Sequence, residues 1–97
     1  MSAEIHVRVR YYNVLRDAAQ RGEETFAVAA GMTLRGLLRD VVARARPRVG
    51  EVLLLRTGEI SPYTRFFWNG AVVGEADLDR TLQEGDEVHI FPAIAGG

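Results

Sequence analysis

Apolar and polar residues alternate strictly near the start of the chain: Ile5, Val7, Val9 and Tyr11 interleave with His6, Arg8, Arg10 and Tyr12. A repeat of two is the period of a half-buried strand, whose successive side chains point to opposite faces. A polar, alanine-containing stretch at 13–22 bridges to a second short strand at 24–29, with Phe26 and Val28 turned inward. The period then changes. Leu34, Leu37, Leu38, Val41, Val42 and Ala45 fall at helical spacing behind a capping Thr33, and Arg35, Arg39, Asp40 and Arg44 take the solvent side. Gly36 weakens that helix by roughly 1 kcal/mol relative to alanine, so its first turn needs tertiary support. Pro47 ends it.

The 48–63 stretch carries no clear period; 52–55 fits a short helix or a short strand, and Pro62 argues against regular structure beyond it. Apolar runs at 65–68 and 71–73 flank Asn69-Gly70, a strong hairpin-turn signal. Leu78 and Leu82 read as core anchors in a short irregular or helical segment. Gly85-Asp86 reads as a turn, and 87–91 as a last strand with Val88 and Ile90 inward. No repeat, low-complexity tract or linker interrupts the chain, so residues 1–97 read as one domain. The order strand, strand, helix, strands predicts an α+β domain with one main helix packed on one face of a mixed sheet.

Composition narrows the function classes. Hydrophobic residues at 47% and charged residues at 26% are ordinary for a globular protein. A net charge of −1 supplies no general attraction to nucleic acid or an anionic membrane, and neither is expected as a partner. Cysteine is absent, which excludes disulfides, zinc–cysteine sites and a cysteine nucleophile. The N-terminus has no apolar signal-peptide core and no run reaches the roughly 18 residues of a membrane span, so the cytoplasm is the expected location. Every basic residue other than histidine is arginine, which leaves the chain without a side-chain amine for isopeptide formation on itself.

The sequence closes on Ala93-Ile94-Ala95-Gly96-Gly97 directly after the last expected strand. With glycine at roughly 7% of residues, a terminal pair arises by chance in about 0.5% of chains. A glycine pair has no Cβ and passes through a channel too narrow for other side chains. The expectation is a flexible tail, 93–97, that carries its α-carboxylate into another protein's active site. Fully extended, those residues reach about 16–18 Å. Ile94 either covers the end of the sheet or anchors in the partner's channel, Ala95 and Gly96 thread it, and Pro92 ends strand pairing.

Gly85-Asp86-Glu87-Val88, the run Phe91-Pro92-Ala93-Ile94-Ala95-Gly96-Gly97 and the upstream Asn69-Gly70 hairpin resemble the ubiquitin-like sulfur carriers. Within them the resemblance is greatest to the small subunit of molybdopterin synthase and its relatives. It implies a β-grasp fold, with the first and last strands side by side and parallel at the sheet centre. It also implies that an ATP-dependent adenylating enzyme converts Gly97 to an acyl-adenylate. Sulfur from a donor protein then replaces AMP, and the resulting thiocarboxylate supplies an acceptor enzyme such as the large subunit of molybdopterin synthase. The length of 48–63 makes a thiamine role less fitting and resembles longer carriers of molybdopterin, cysteine and specialised sulfur metabolism. A terminal carboxylate, with a pKa near 3.5, is ionised at pH 7 and needs such activation. The carrier itself would need no bound cofactor and no catalytic group, ATP residing on the partner. Two other classes stay open: a ubiquitin-like modifier that acylates lysines, and a passive interaction domain.

Alternation also predicts the surface offered to partners. With Val88 and Ile90 inward, His89 and Phe91 face outward beside His6, Arg8, Arg10 and Tyr12. Exposed aromatics among polar residues suit a protein interface, and Tyr12, His89 and Phe91 are its candidates. Other chemistry finds little support. His6 and His89 are expected on one face but lack a third metal ligand, so no metal is expected. Ser2 and Ser61 lie in no nucleophile elbow, and Glu75, Asp77 and Asp79 match no EF-hand loop. Arg44, Arg46 and Arg48 suit a helix C-terminus better than nucleic acid.

Overall fold

The computed structural model describes residues 3–44 and 64–92. β1 (Glu4–Tyr11) obeys its alternating sequence: Val7, Val9 and Tyr11 are buried, whereas His6, Arg8 and Arg10 are exposed. β2 (Glu23–Ala29) lies antiparallel to it, with Phe26 and Val28 in the core. β3 (Thr64–Trp68) and β4 (Ala71–Val72) form the hairpin around Asn69-Gly70, and β5 (Glu87–Pro92) completes a five-stranded sheet in the order β2-β1-β5-β3-β4. β1 and β5 run parallel at its centre, the arrangement that defines a β-grasp. Asn69 and Gly70 both have positive φ, 51° and 85°, which a two-residue type I′ hairpin turn demands.

α2 (Leu34–Arg44) buries Leu34, Leu37, Leu38 and Val41 in the cluster formed by Val7, Val9, Phe26, Val88 and Ile90. Its weak first turn is held from outside. The Gly36 N–H donates to Thr33 Oγ1 at 3.1 Å, and Leu34 N–H donates to Arg80 O at 3.2 Å. Leu82 N–H in turn reaches Met32 O at 2.9 Å. Leu82 is buried and Leu78 packs partly against the core, as anchors of a segment that includes a 3₁₀ helix, Glu75–Asp79.

The 13–22 stretch departs from its expected role as a bridge. It contains a second helix, α1 (Asn13–Ala19), which sends Leu15 and Ala19 into the core. These two lie one helical turn apart, and the sheet they face supplies the hydrophobic surface that a short helix lacks on its own. α1 ends at Gln20, a non-glycine residue in the left-handed region with φ 59° and ψ 28°. Smaller differences concern ends: β2 begins at Glu23, β4 stops at Val72, and Pro92 closes β5 opposite Thr64. The side chain of Val42 and the expectations placed on Ala45, Pro47, 48–63 and 93–97 lie outside the described residues.

Candidate functional site

One face of the sheet is packed by α2 and the other is open. Strand alternation places Glu87, His89 and Phe91 of β5 on the open face, beside Arg8 and Arg10 of β1 and Phe67 of β3. The register Tyr11↔Ile90 carries one residue further to set Tyr12 beside Phe91. Their rings stack with centroids 4.0 Å apart and planes 12° from parallel. Phe67 meets Phe91 edge-on from the other side, at 5.3 Å and 82°. Such pairs contribute about 0.5–1.5 kcal/mol beyond the area they bury. Phe91 is therefore clamped between two neighbouring elements immediately before Pro92, where the described chain leads toward 93–97.

His89 joins this cluster through both ring nitrogens. Nδ1 lies 2.8 Å from the Tyr12 hydroxyl and Nε2 lies 2.6 Å from Glu87 Oε1. An ionised carboxylate only accepts, so Nε2 carries the proton donated to Glu87. Nδ1 of a neutral ring is then bare and accepts from the Tyr12 hydroxyl. The His89 hydrogen bond is the main reason the Glu87 carboxyl sits below the usual carboxylate range, and Arg8 and Arg10 add to it. Phe67, Gly70, His89 and Phe91 line an open, mainly apolar hollow on this face.

Tyr12, His89 and Phe91 are thus brought together, as outward residues, but they are not freely exposed. All three are half-buried, because each covers part of another. His6 and His89 are not brought together. His6 stands at the far end of β1 and pairs with Glu84 at 3.2 Å, drawing that carboxyl downward in pKa. Among the described residues, no group of three or more histidines, cysteines or carboxylates is placed to hold a metal. Arg8 and Arg10 flank the aromatics in loose, half-exposed ion pairs with Glu23 at 3.6 and 3.3 Å. Pairs of that kind contribute at most about 1 kcal/mol each and leave the guanidiniums available to a partner.

Glu87 is the residue that sequence reasoning missed. The spacing Glu87-x-His89-x-Phe91 on a strand was a usable signal, since it puts all three side chains on one face. Among the described residues no helix is long and apolar enough to cross a membrane.

Sheet order, central parallel pair and packed helix define a ubiquitin-like protein of the β-grasp class. Residues 9–97 match the ThiS family, and the chain belongs to that family of ubiquitin-like sulfur carriers and modifiers. A protein of Archaeoglobus fulgidus, provisionally named a sulfur carrier, is 46% identical over 48 residues, which are 48% of this chain and 54% of that relative. The chain thus spans about half the length of that relative. Small archaeal modifier protein 3 of Haloferax volcanii is 27% identical over 94 residues, covering 96% of this chain and 100% of the relative. The crystal structure of SAMP1 from the same organism superposes with a TM-score of 0.83 at 22% identity, covering 95% of this chain and 99% of that one, and shows the shared fold.

Proposed function

We propose that this protein is a sulfur carrier in which Gly97 is the terminal residue and the reacting group is its carboxylate. An ATP-dependent activating enzyme docks on the open face, and the carboxylate attacks the α-phosphorus of ATP with loss of pyrophosphate. A persulfide on a donor protein then attacks the acyl carbon and AMP leaves; a thiol cleaves the resulting acyl disulfide, forming a disulfide with the donor's sulfur and releasing the thiocarboxylate. An acceptor enzyme consumes that sulfur, with molybdopterin synthesis in the cytoplasm as the pathway that the 91–97 run favours. In this scheme the carrier is a co-substrate, not a catalyst, and binds neither cofactor nor metal.

The observation that carries this reading is the clamped Phe91. β5 is held between β1 and β3 and ends at Pro92, next to an aromatic surface fixed in advance, and Ile94, Ala95, Gly96 and Gly97 follow it in the sequence. Preorganisation lowers the ordering cost of docking.

Incubation with the activating enzyme, ATP and a sulfur donor should exchange one oxygen for sulfur at Gly97, read by intact mass and fragment mapping. Deleting Gly97 moves the carboxylate back by about 3.5 Å and should abolish ATP–pyrophosphate exchange while the fold persists. A deletion variant adenylated as fast as the parent overturns the role of Gly97. A second reading, a protein modifier, is favoured by the full-length similarity to the Haloferax modifier. It predicts lysine-linked adducts on other proteins in place of a sulfurated small product.

A further inference from the structure

We propose that Glu87 is the positioning residue of the open-face aromatic cluster: it acts through His89 to hold the Tyr12 ring flat on Phe91. Its connection to partner docking rests on the sulfur-carrier reading above; its effect on the cluster does not.

Three observations converge on this role. First, Glu87 has two hydrogen-bond donors beside it, and distance separates them. His89 Nε2 is 2.6 Å away, a short charge-assisted hydrogen bond, whereas Arg8 Nη1 is 3.6 Å away, beyond hydrogen-bonding range. Glu87 therefore serves His89 before it serves the Arg8 ion pair. Second, that bond fixes the histidine's tautomer and the orientation of its ring, and Tyr12 bonds to the ring so placed. With the proton on Nε2, the bare Nδ1 accepts the Tyr12 hydroxyl at 2.8 Å. With the proton on Nδ1 the bond would reverse, the phenol oxygen accepting from Nδ1–H, so Glu87 sets both the direction of this bond and the angle at which the imidazole meets Tyr12. Third, the tethered hydroxyl belongs to the ring that covers Phe91. Tyr12 lies just past the end of β1, where no ladder partner holds it, and its backbone is the entry residue of α1. The His89 bond adds to the stacking attraction in holding that ring 12° from parallel with Phe91. The chain of contacts runs Glu87, His89, Tyr12, Phe91, and it ends where β5 leads toward 93–97.

The same geometry admits a weaker account, in which Glu87 and His89 are ordinary surface polar groups whose removal leaves Tyr12 in place. Two substitutions separate the accounts. Glu87→Ala removes the acceptor, whereas Glu87→Gln keeps an acceptor oxygen and loses only the charge. Imidazole nitrogen shifts read the His89 tautomer, and ring-current shifts of the Phe91 protons read the stack. Glu87→Ala should convert His89 to a mixture of tautomers and reduce the Phe91 ring-current shifts; Glu87→Gln should retain both signatures. Tyr12→Phe keeps the ring and deletes the hydroxyl, and it should loosen the stack with Glu87 untouched. All three side chains are partly solvent-exposed, and amide spectra check that each variant is folded.

A functional arm uses ATP–pyrophosphate exchange with the activating enzyme of the same organism. Loss of one hydrogen bond's worth of preorganisation predicts about fivefold slower exchange in Glu87→Ala at subsaturating carrier, with Glu87→Gln near the parent. An unchanged tautomer and stack in Glu87→Ala overturns the positioning role. Altered tautomer and stack with unaltered exchange overturns its connection to docking. If the parent supports no exchange at all, the sulfur-carrier reading fails, and the spectroscopic arm still decides what Glu87 does.

Discussion

Asn69 Nδ2 donates to Asp86 Oδ1 at 2.8 Å and thereby ties the tip of the β3–β4 hairpin to the turn that starts β5. The tie is reciprocal, because Glu87 N–H donates back to Asn69 Oδ1 at 2.8 Å. The other carboxylate oxygen of Asp86 accepts from the Trp68 indole at 2.9 Å and from Gln83 N–H at 2.8 Å. Burial pushes the Asp86 carboxyl upward in pKa, but the bonds from Asn69, Gln83 and Trp68 together outweigh it and hold the group below the ordinary range. Two short turn motifs thus share one buried carboxylate, which sets where β5 enters the sheet and hence where His89 and Phe91 emerge.

Replacing that carboxylate should be costly. Asp86→Ala leaves the indole N–H of Trp68, a residue only 9% exposed, without its partner. The expected loss is about 2–3 kcal/mol, measured by urea unfolding, against about 1 kcal/mol for Asn69→Ala at the exposed tip.

Acid should report the same group. A carboxyl whose folded pKa lies below its unfolded value contributes stability above that unfolded value, 3.8 for Asp86, and loses it as pH falls through the folded one. Melting temperature should therefore drop between pH 4 and more acidic conditions, at roughly the range carboxylates titrate. Asp86→Asn should show a shallower drop from a lower plateau. An equal slope in parent and variant would assign the acid sensitivity to the other lowered carboxyls, Asp77, Asp79, Glu84 and Glu87.

Gln20 offers a stabilising substitution. It holds φ 59° at the end of α1, in an exposed position where a side chain brings steric cost. Gln20→Gly relieves that cost and loses some to unfolded-state entropy, so a net gain of about 0.5 kcal/mol is expected in thermal or urea unfolding.

Thr33→Ala should remove the cap that holds the Gly36 N–H, at about 1 kcal/mol. Because this cap lies on the helix side of the sheet, partner binding through the open face should be unchanged in the same variant at temperatures where it is folded.

Phe91→Ala tests the docking surface. Losing both ring contacts should cost about 1–2 kcal/mol of stability, less than a fully buried aromatic, since Phe91 is half-buried. Affinity for the activating enzyme should fall by about tenfold, the loss of one interface anchor. Calorimetric titration at a temperature where both forms are folded separates the two effects.

The sequence by itself determined which side of β1, β2 and β5 is buried. Val7 and Val9, Phe26 and Val28, and Val88 and Ile90 all occupy the faces that their alternation assigns. It also determined the Thr33-capped helix and the Asn69-Gly70 hairpin, because each is a local pattern readable within a few residues. α1 escaped, since so short an apolar pattern around Leu15 and Ala19, set among polar residues, makes too weak a period to separate from a polar bridge. Only the tertiary structure decided what lies across from what. Tyr12 and His89 are 77 positions apart in the chain, and their contact depends on the register of a parallel strand pair. Register is a property of two segments together, fixed by the whole core, so Glu87, His89, Tyr12 and Phe91 became one cluster only on folding. The same holds for Asp86, which Trp68 and Asn69, adjacent at the end of β3 and the tip of its hairpin, reach from far along the chain, while Gln83 bonds it from within its own turn. A single carboxylate in a Gly-Asp turn has no local signature of that hub, because its hydrogen-bond donors are supplied by the fold.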